Sequence, residues 1–96
     1  MSADQVRIHI WIKGRVQGVG FRAFTGSMAA RLDLAGWTRN LGYDEVEIVI
    51  EGSRKQTGLM LEAVKQGPRS ARVDQCRVEE EPYIGEFSGF EIRSSH

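Results

Sequence analysis

The residues with the clearest chemical potential form one glycine-rich run. It follows an apolar, alternating segment, precedes a segment with helical spacing and consists of Gly14-Arg15-Val16-Gln17-Gly18-Val19-Gly20-Phe21-Arg22. Because glycine adopts positive φ and lets the backbone approach a ligand closely, successive N–H groups here can point into one concavity. The following helix adds the positive end of its dipole, and Arg22 adds a planar fork of donors suited to two phosphate oxygens. These features favour a phosphate site over a plain strand-to-helix connection with a solvated arginine.

Two familiar nucleotide-binding loops with similar glycines do not fit this run. A Walker loop ends in Gly-Lys and then Ser or Thr, and the sequence contains no Gly-Lys dipeptide. The residues from Gly18 to Ala23 satisfy the loose dinucleotide pattern, but a chain of 96 residues cannot hold two mononucleotide-binding halves. No acidic residue stands where ribose binding requires one. We therefore exclude both motifs.

Asn40, at the end of the segment that begins with Gly36, is a second polar residue of interest. Its side chain carries both an amide donor and a carbonyl acceptor, which can hold a water molecule against a bound phosphate. The alternative is a turn residue that enters a hairpin, and periodicity alone favours it. His9 is interpreted as a solvated or sheet-face side chain, and His96 as a residue of a fraying terminus.

Composition limits the classes of partner. Thirteen basic residues balance thirteen acidic ones, so no long-range positive field draws in nucleic acid or an anionic membrane. The first residues lack the basic and apolar regions of a secretory signal, and no apolar stretch approaches a membrane span, so we expect a cytoplasmic protein. Cys76 stands alone, which excludes an internal disulfide, and we expect a small buried side chain in a strand.

The elements that must position the run can be predicted from hydrophobic spacing. In the first segment, Val6, Ile8, Ile10 and Ile12 occupy every second position, and this alternation predicts a strand. The apolar residues from Phe21 to Asp33 recur at spacings of three and four, which predicts an amphipathic helix that Gly36 stops. Short strands follow over Trp37 to Leu41 and over Val46 to Glu51. The hairpin turn that joins them is Gly42-Tyr43-Asp44-Glu45.

The second half of the chain repeats the pattern of helix and strand. Ser53 and Gln56 form a capping box for a helix that Gly67-Pro68 ends, with an inner face of Thr57, Met60, Leu61 and Val64. Arg72 to Glu81 predict a strand, and a last short strand runs through Phe90 and Ile92. The predicted fold is therefore an α+β, ferredoxin-like βαββαβ sandwich, an antiparallel sheet with two helices on one face and a short extra strand.

At this point the residues resemble those of a known family. The run from Gly14 to Arg22 resembles the signature of the acylphosphatases, and Gly36-Trp37-Thr38-Arg39-Asn40 resembles their second signature. Gly67-Pro68 with Ala71-Arg72-Val73, and Phe87-Ser88-Gly89-Phe90-Glu91-Ile92-Arg93, are similar to further family patterns. The order and spacing also agree, so residues 1–96 are identified as a single acylphosphatase-like domain.

The resemblance implies two catalytic residues and a phosphate cradle. Arg22 matches the arginine that binds the substrate phosphate, and Asn40 matches the asparagine that positions the attacking water. The cradle corresponds to Arg15, Val16, Gln17, Gly18, Val19 and Gly20. Two features depart from the family pattern. Thr38 stands where valine is common, and this difference is expected to loosen the packing behind Asn40. The turn over 42–45 replaces a frequent Pro-Asp-Gly and is expected to alter only the hairpin tip.

The implied reaction is hydrolysis of an acyl phosphate to a carboxylate and inorganic phosphate, which would also compete with substrate. Because a carboxylate is a good leaving group, the enzyme needs to position water and stabilise charge more than it needs a strong acid. The run has no neighbouring Cys or His that argues for a phosphoenzyme, and no acidic cluster suggests magnesium. We therefore expect metal-free, in-line attack by water, no cofactor and a monomeric enzyme.

Two other functions compete with this interpretation. The same topology serves RNA recognition, and Trp11 falls on the predicted open face of the sheet. The outward positions of the third strand, Glu47, Val49 and Glu51, argue against it, because acidic side chains repel a phosphate backbone. The other alternative is a domain that keeps the fold but handles carbamoyl phosphate or has only a structural role.

Overall fold

The computed structural model describes residues 4–94. Its elements are β1 (Gln5–Arg15), α1 (Phe21–Arg31), β2 (Ala35–Leu41), β3 (Glu45–Ser53), α2 (Arg54–Gln66), β4 (Arg72–Glu81) and β5 (Phe90–Ile92). The strands form one sheet in the order β4-β1-β3-β2-β5. This arrangement confirms the predicted α+β, ferredoxin-like fold. The predicted bounds of β4 are reproduced, whereas α1 is two residues shorter than expected.

The four long strands pair antiparallel, as predicted. In the middle of the sheet, Ile10 of β1 lies between Ile48 of β3 and Val78 of β4. The short β5 joins the free edge of β2 in parallel, with Phe90 opposite Gly36. The sheet as a whole is therefore mixed, and the end of β5 lies beside the strand that carries Asn40.

The core lies between the helices and one face of the sheet. Every second residue of β1 and β3 enters it, and Phe21 and Ala29 of α1 and Met60 and Val64 of α2 cover them. Apolar burial drives this layer, because each side chain removed from water stabilises the folded state by roughly 1.5–3 kcal/mol. The predicted inner face of α2 is confirmed, since Thr57, Met60 and Val64 are buried and Leu61 packs partly buried against the core.

The helix ends differ from expectation in two places. Ser53 caps α2, because its Oγ accepts a hydrogen bond from the Gln56 N–H at 3.1 Å, but the Gln56 amide donates to the Leu32 carbonyl and does not complete the box. The prediction that Gly36 stops α1 was wrong. Asp33, with a φ of 56°, lies just beyond the helix, and Gly36 lies inside β2, where a Cβ would collide with the Val49 carbonyl.

The outer face of the sheet, opposite the helices, is not the solvated surface that simple alternation predicts. Glu47 is 6%, Val49 1% and Glu51 4% exposed. The 82–89 segment crosses this face, and the N–H groups of Ile84 and Gly85 donate to the Glu51 carboxylate at 3.0 and 3.2 Å. Alternation locates these residues on the outer face but gives no sign that they are buried there or that a later segment binds Glu51.

Two further expectations concern single residues. Cys76 is only half-buried, on β4 beside the core, and burial is the main cause that raises the pKa of its thiol. His96 lies outside the described residues. Among helices in residues 4–94, none is long and apolar enough to cross a membrane.

Candidate active site

The glycines of the run divide into two groups. Gly18 and Gly20 have φ angles of 74° and 78°, and a Cβ on either would meet no atom within 4 Å. These residues are therefore needed for their left-handed conformation, and the space beside them is open. Gly14, with a φ of 143°, has a different role, because a Cβ there would collide with the Arg72 carbonyl of β4. The lack of a side chain at Gly14 therefore lets β1 and β4 approach each other closely where the loop begins.

The start of α1 is open to an anion. Gly20 is the N-cap residue, no side chain caps the helix, and its first turn contains no acidic residue. The first N–H groups of a helix have no intrahelical acceptor, and they carry the positive end of the dipole. A bound anion can therefore occupy the position that a capping side chain takes in other helices.

Arg22, beside this site, is oriented by a hydrogen bond to a residue that follows β5. It is half-buried in the first turn of α1, and its Nη1 donates to the backbone carbonyl of Arg93 at 2.8 Å. Within residues 4–94 this is the hydrogen bond that the guanidinium makes, out of five possible N–H donors. The side chain is thus oriented and retains donors for an oxyanion.

Asn40 lies in β2 and not in the hairpin turn. It pairs with Val46 of β3 and is 8% exposed. The periodicity argument for a turn residue was therefore wrong. Pairing with β3 fixes its backbone, and the residue lines the pocket beside the loop.

One pocket brings these groups together. It has a volume of about 420 Å³, and its lining consists of Val16, Gly18, Gly20, Phe21, Arg22, Ala23, Asn40, Ile92, Arg93 and Ser94. Arg22 and Asn40 therefore line the same pocket as the loop glycines, although they are 18 residues apart in the sequence. No carboxylate of the described residues belongs to this lining.

Of the other residues predicted for the cradle, Val16 belongs to the described lining of the pocket, whereas Arg15, Gln17 and Val19 lie outside it. The Arg15 side chain is exposed at the end of β1, opposite Arg72, and Val19 packs partly against the core. The Val16 side chain is 1% exposed, so this residue can offer a ligand only its backbone. Gln17 points away from the pocket, toward the β2–β3 turn.

Gln17 connects the loop to the strand that carries Asn40. Its Nε2 lies 3.4 Å from the Leu41 carbonyl, 3.1 Å from that of Gly42 and 2.9 Å from that of Glu45. A second link joins the Gly14 N–H to the Asp44 carbonyl at 2.9 Å. The loop and the hairpin are therefore fixed relative to each other at the site.

Sequence reasoning missed the contribution of the segment after β5. Ile92, Arg93 and Ser94 complete the pocket, and the Arg93 carbonyl orients Arg22. The sequence signals were the short predicted strand through Phe90 and Ile92 and the resemblance of residues 87–93 to a family pattern. The parallel pairing of that strand with β2 places the following residues over the pocket, and such pairing is not encoded in local spacing.

A separate charged cluster lies on the outer face, centred on His9. Its Nδ1 is 2.8 Å from Glu81 and its Nε2 is 2.7 Å from Glu47, while Arg39 donates to Glu47 at 2.7 Å. Burial acts to raise the pKa of Glu47, but the hydrogen bonds from Arg39 and His9 outweigh it and hold this pKa below its usual value. The hydrogen bond from His9 is the main cause that lowers the pKa of Glu81. This cluster does not belong to the pocket.

Comparison with known proteins identifies the family. A family model described as acylphosphatase matches residues 8–92, which include the loop, Arg22 and Asn40. The chain belongs to the acylphosphatase family. The predicted resemblance is thus confirmed, and so is the assignment of the chain as an acylphosphatase enzyme, a hydrolase.

Individual acylphosphatases match over most of their length. The acylphosphatase of Syntrophobacter fumaroxidans is 45% identical over 89 residues, which are 93% of this chain and 92% of that protein. The crystal structure of acylphosphatase from Bacillus subtilis has a TM-score of 0.88 at 36% identity and covers 92% of this chain and 98% of its own.

A larger protein contains a similar domain. The structure of full-length HypF in its phosphate- and nucleotide-bound form matches with a TM-score of 0.88 at 29% identity. The match covers 99% of this chain but only 13% of HypF. The same fold thus also occurs as a small part of a multidomain protein.

Proposed function

We propose that this acylphosphatase hydrolyses acyl phosphates by direct attack of one water molecule, with the phosphate in the loop pocket. The observation that carries the proposal is that Arg22, Asn40 and the glycine loop line one pocket. The substrate dianion would take the place of a cap on α1, and the backbone of Arg15 to Gly20 would cradle it.

Arg22 is assigned to the equatorial phosphate oxygens. Its fork of donors matches two oxygens at once, and the bond to the Arg93 carbonyl supports this role because it limits the conformations of the side chain. In phosphoryl transfer, charge on these oxygens is stabilised mainly by fixed donors. The loop N–H groups and the helix dipole add to the same stabilisation.

Asn40 is assigned to the water. The amide carbonyl can accept a hydrogen bond from the water, which would direct the water oxygen at phosphorus. The water oxygen forms a bond to phosphorus, the bond from phosphorus to the acyl oxygen breaks, and the carboxylate leaves. The proton of the water passes to an oxygen of the phosphate, so no separate general base is required.

The reaction is proposed to need no metal ion. The described lining offers a cation, an amide and backbone N–H groups in the place where a magnesium site would present carboxylates. Inorganic phosphate carries the same charge and shape as the transferred group, so it should compete with substrate. The enzyme is also proposed to act as a monomer.

The test is phosphate release from acetyl phosphate and benzoyl phosphate, with a phosphomonoester as the control substrate. We expect turnover of both acyl phosphates, little turnover of the monoester, competitive inhibition by phosphate and an unchanged rate after exhaustive chelation. Activity that disappears with chelator and returns with magnesium would contradict the metal-free mechanism.

A further inference from the structure

A second cavity runs along α1 from the phosphate pocket. It has a volume of about 600 Å³ and lies between one face of the helix and the chain around β5. Its helix wall contains Ala23, Gly26, Ser27 and Ala30, which recur at three- and four-residue spacing. We call this cavity the α1–β5 groove.

The groove adjoins the phosphate pocket. Ala23 and Ile92 line both cavities, so a molecule held in one can extend into the other. From Ala23 to Ala30 the helix rises about 10 Å, at 1.5 Å per residue. This length suits an aromatic ring or a chain of several carbons attached to a bound phosphate.

The lining of the groove is small and mostly apolar. Alanine and glycine form the helix wall, and Phe90 and Ile92 form the opposite wall, with Asp33 as the single charged residue among the described lining. Ile92 is 50% exposed, which is a large apolar surface to leave in water beside a catalytic pocket. The Ile92 side chain packs closely on Gly26, since a Cβ there would lie 3.1 Å from Ile92 Cδ1.

We propose that the α1–β5 groove binds the acyl group of the substrate and selects uncharged, apolar acyl phosphates. This inference rests on the proposed function, because it assumes that the phosphate binds in the adjoining pocket. An apolar chain that binds in the groove moves out of water and packs against alanine, phenylalanine and isoleucine side chains, and this transfer is favourable. An acyl group with a terminal carboxylate meets no cation there and is repelled by Asp33.

The experiment compares kcat/KM for octanoyl phosphate with that for acetyl phosphate. In the wild type we expect a ratio on the order of ten, because several methylenes are partly buried. Ser27→Phe fills the middle of the groove and should bring the ratio close to one. Ala30→Phe, at the far end, should also lower it, and both positions are exposed, so the fold should tolerate the ring.

Arg31→Phe is the matched control, because Arg31 is exposed on the same helix and lies outside the described lining of both cavities. It should keep the wild-type ratio. If acetyl phosphate is hydrolysed, equal kcat/KM values for the two substrates in the wild type would overturn the groove as the acyl site. A fall of the ratio in the Arg31 variant as large as that in the Ser27 variant would do the same. A wild type that does not hydrolyse acetyl phosphate would instead overturn the proposed function itself.

Discussion

At the residue scale, Arg22 combines two properties that rarely coincide at an exposed helix start. Its guanidinium is tethered to the Arg93 carbonyl at 2.8 Å, yet its other donors have no partner among the described residues, and the residue lines the pocket. A tethered side chain loses less rotamer entropy when it binds an anion. The backbone carbonyl of Arg93, after β5, thus orients the Arg22 side chain at the start of α1.

Arg22→Ala should abolish most turnover and leave the fold largely intact. Hydrogen bonds to charged groups are worth roughly 1.5–3 kcal/mol each, so loss of a bidentate pair should lower kcat/KM about a thousandfold. Arg22→Lys should recover only part of this, because an ammonium lacks the fork. Arg31→Ala on the same helix is the control and should retain wild-type kinetics. Near-native turnover by the Arg22 alanine variant would contradict the assignment.

Asn40→Ala should lower kcat far more than it raises the inhibition constant of phosphate. The amide is assigned to the water, so its loss acts mainly in the transition state, and phosphate binding should persist. Thr38→Val is the matched control. Thr38 lies two residues earlier in β2, is fully buried and donates to the Glu47 carbonyl at 3.1 Å. This variant should cost about 1 kcal/mol of stability and leave kcat unchanged.

Both quantities should be measured on the same folded sample of each variant. An Asn40 variant with unaltered kcat would assign the residue to strand structure alone. Thr38 also illustrates what the sequence could not predict. It departs from the valine that is common at this position, and only the structure supplies the hydrogen-bond partner of its hydroxyl.

At the element scale, the site depends on how firmly the loop is joined to the β2–β3 hairpin. In the proposed mechanism the loop carries the donors for phosphate and the β2–β3 hairpin carries Asn40, so the contact between loop and hairpin would set the position of the attacking water relative to phosphorus. Gln17 provides that contact through three backbone carbonyls. It is therefore a positioning residue.

Gln17→Met should lower kcat several-fold and cost about 1 kcal/mol of stability, because methionine keeps the length of the side chain but removes its donors. Gln56→Met is the matched control, since the Gln56 amide also donates to a backbone carbonyl, that of Leu32, on another part of the molecule. It should show a similar loss of stability with normal kcat. Amide hydrogen exchange in residues 41–45 should rise only in the Gln17 variant.

The elements themselves were largely predictable, and their edges were not. Local spacing located β1, both helices and β4, because alternation and helical periodicity are properties of a few neighbouring residues. Gly36 was misassigned because a glycine near a helix end has several structural roles. The contact with Val49 that decides between them is long-range. The parallel register of β5 depends on residues more than 50 positions apart.

At the scale of the whole molecule, the two faces of the sheet are stabilised by different forces. One face buries aliphatic side chains under the helices, and the outer face carries the charged cluster centred on His9. Each ring nitrogen of His9 faces a carboxylate oxygen, and the His9 and Trp11 rings stack at 3.8 Å. The sequence located these residues on one face, but composition with a net charge of zero gave no sign of their pairing.

The outer-face cluster predicts a loss of stability in acid. The pKa values of Glu47 and Glu81 are lowered in the folded state from an ordinary value of 4.5, so the folded protein binds fewer protons than the unfolded chain. The stabilisation that these two carboxylates contribute is fully present above about pH 5. It is lost as the pH falls through their lowered pKa values in the folded state. The free energy of unfolding, measured in urea from about pH 6 to about pH 3, should therefore decrease toward acid.

His9→Phe tests whether this acid dependence comes from the cluster. The ring of phenylalanine can keep the stacking on Trp11 but removes the two ring nitrogens that face the carboxylates. Because Glu47 is nearly buried, the variant should lose about 2 kcal/mol of stability at pH 7 and show a shallower decrease toward pH 3. The control is Arg54→Met, which removes the exposed pairs with Asp4 and Glu80 and should leave both quantities nearly unchanged. If the two variants decrease alike, the acid sensitivity arises from the overall charge of the protein, and the buried cluster does not control it.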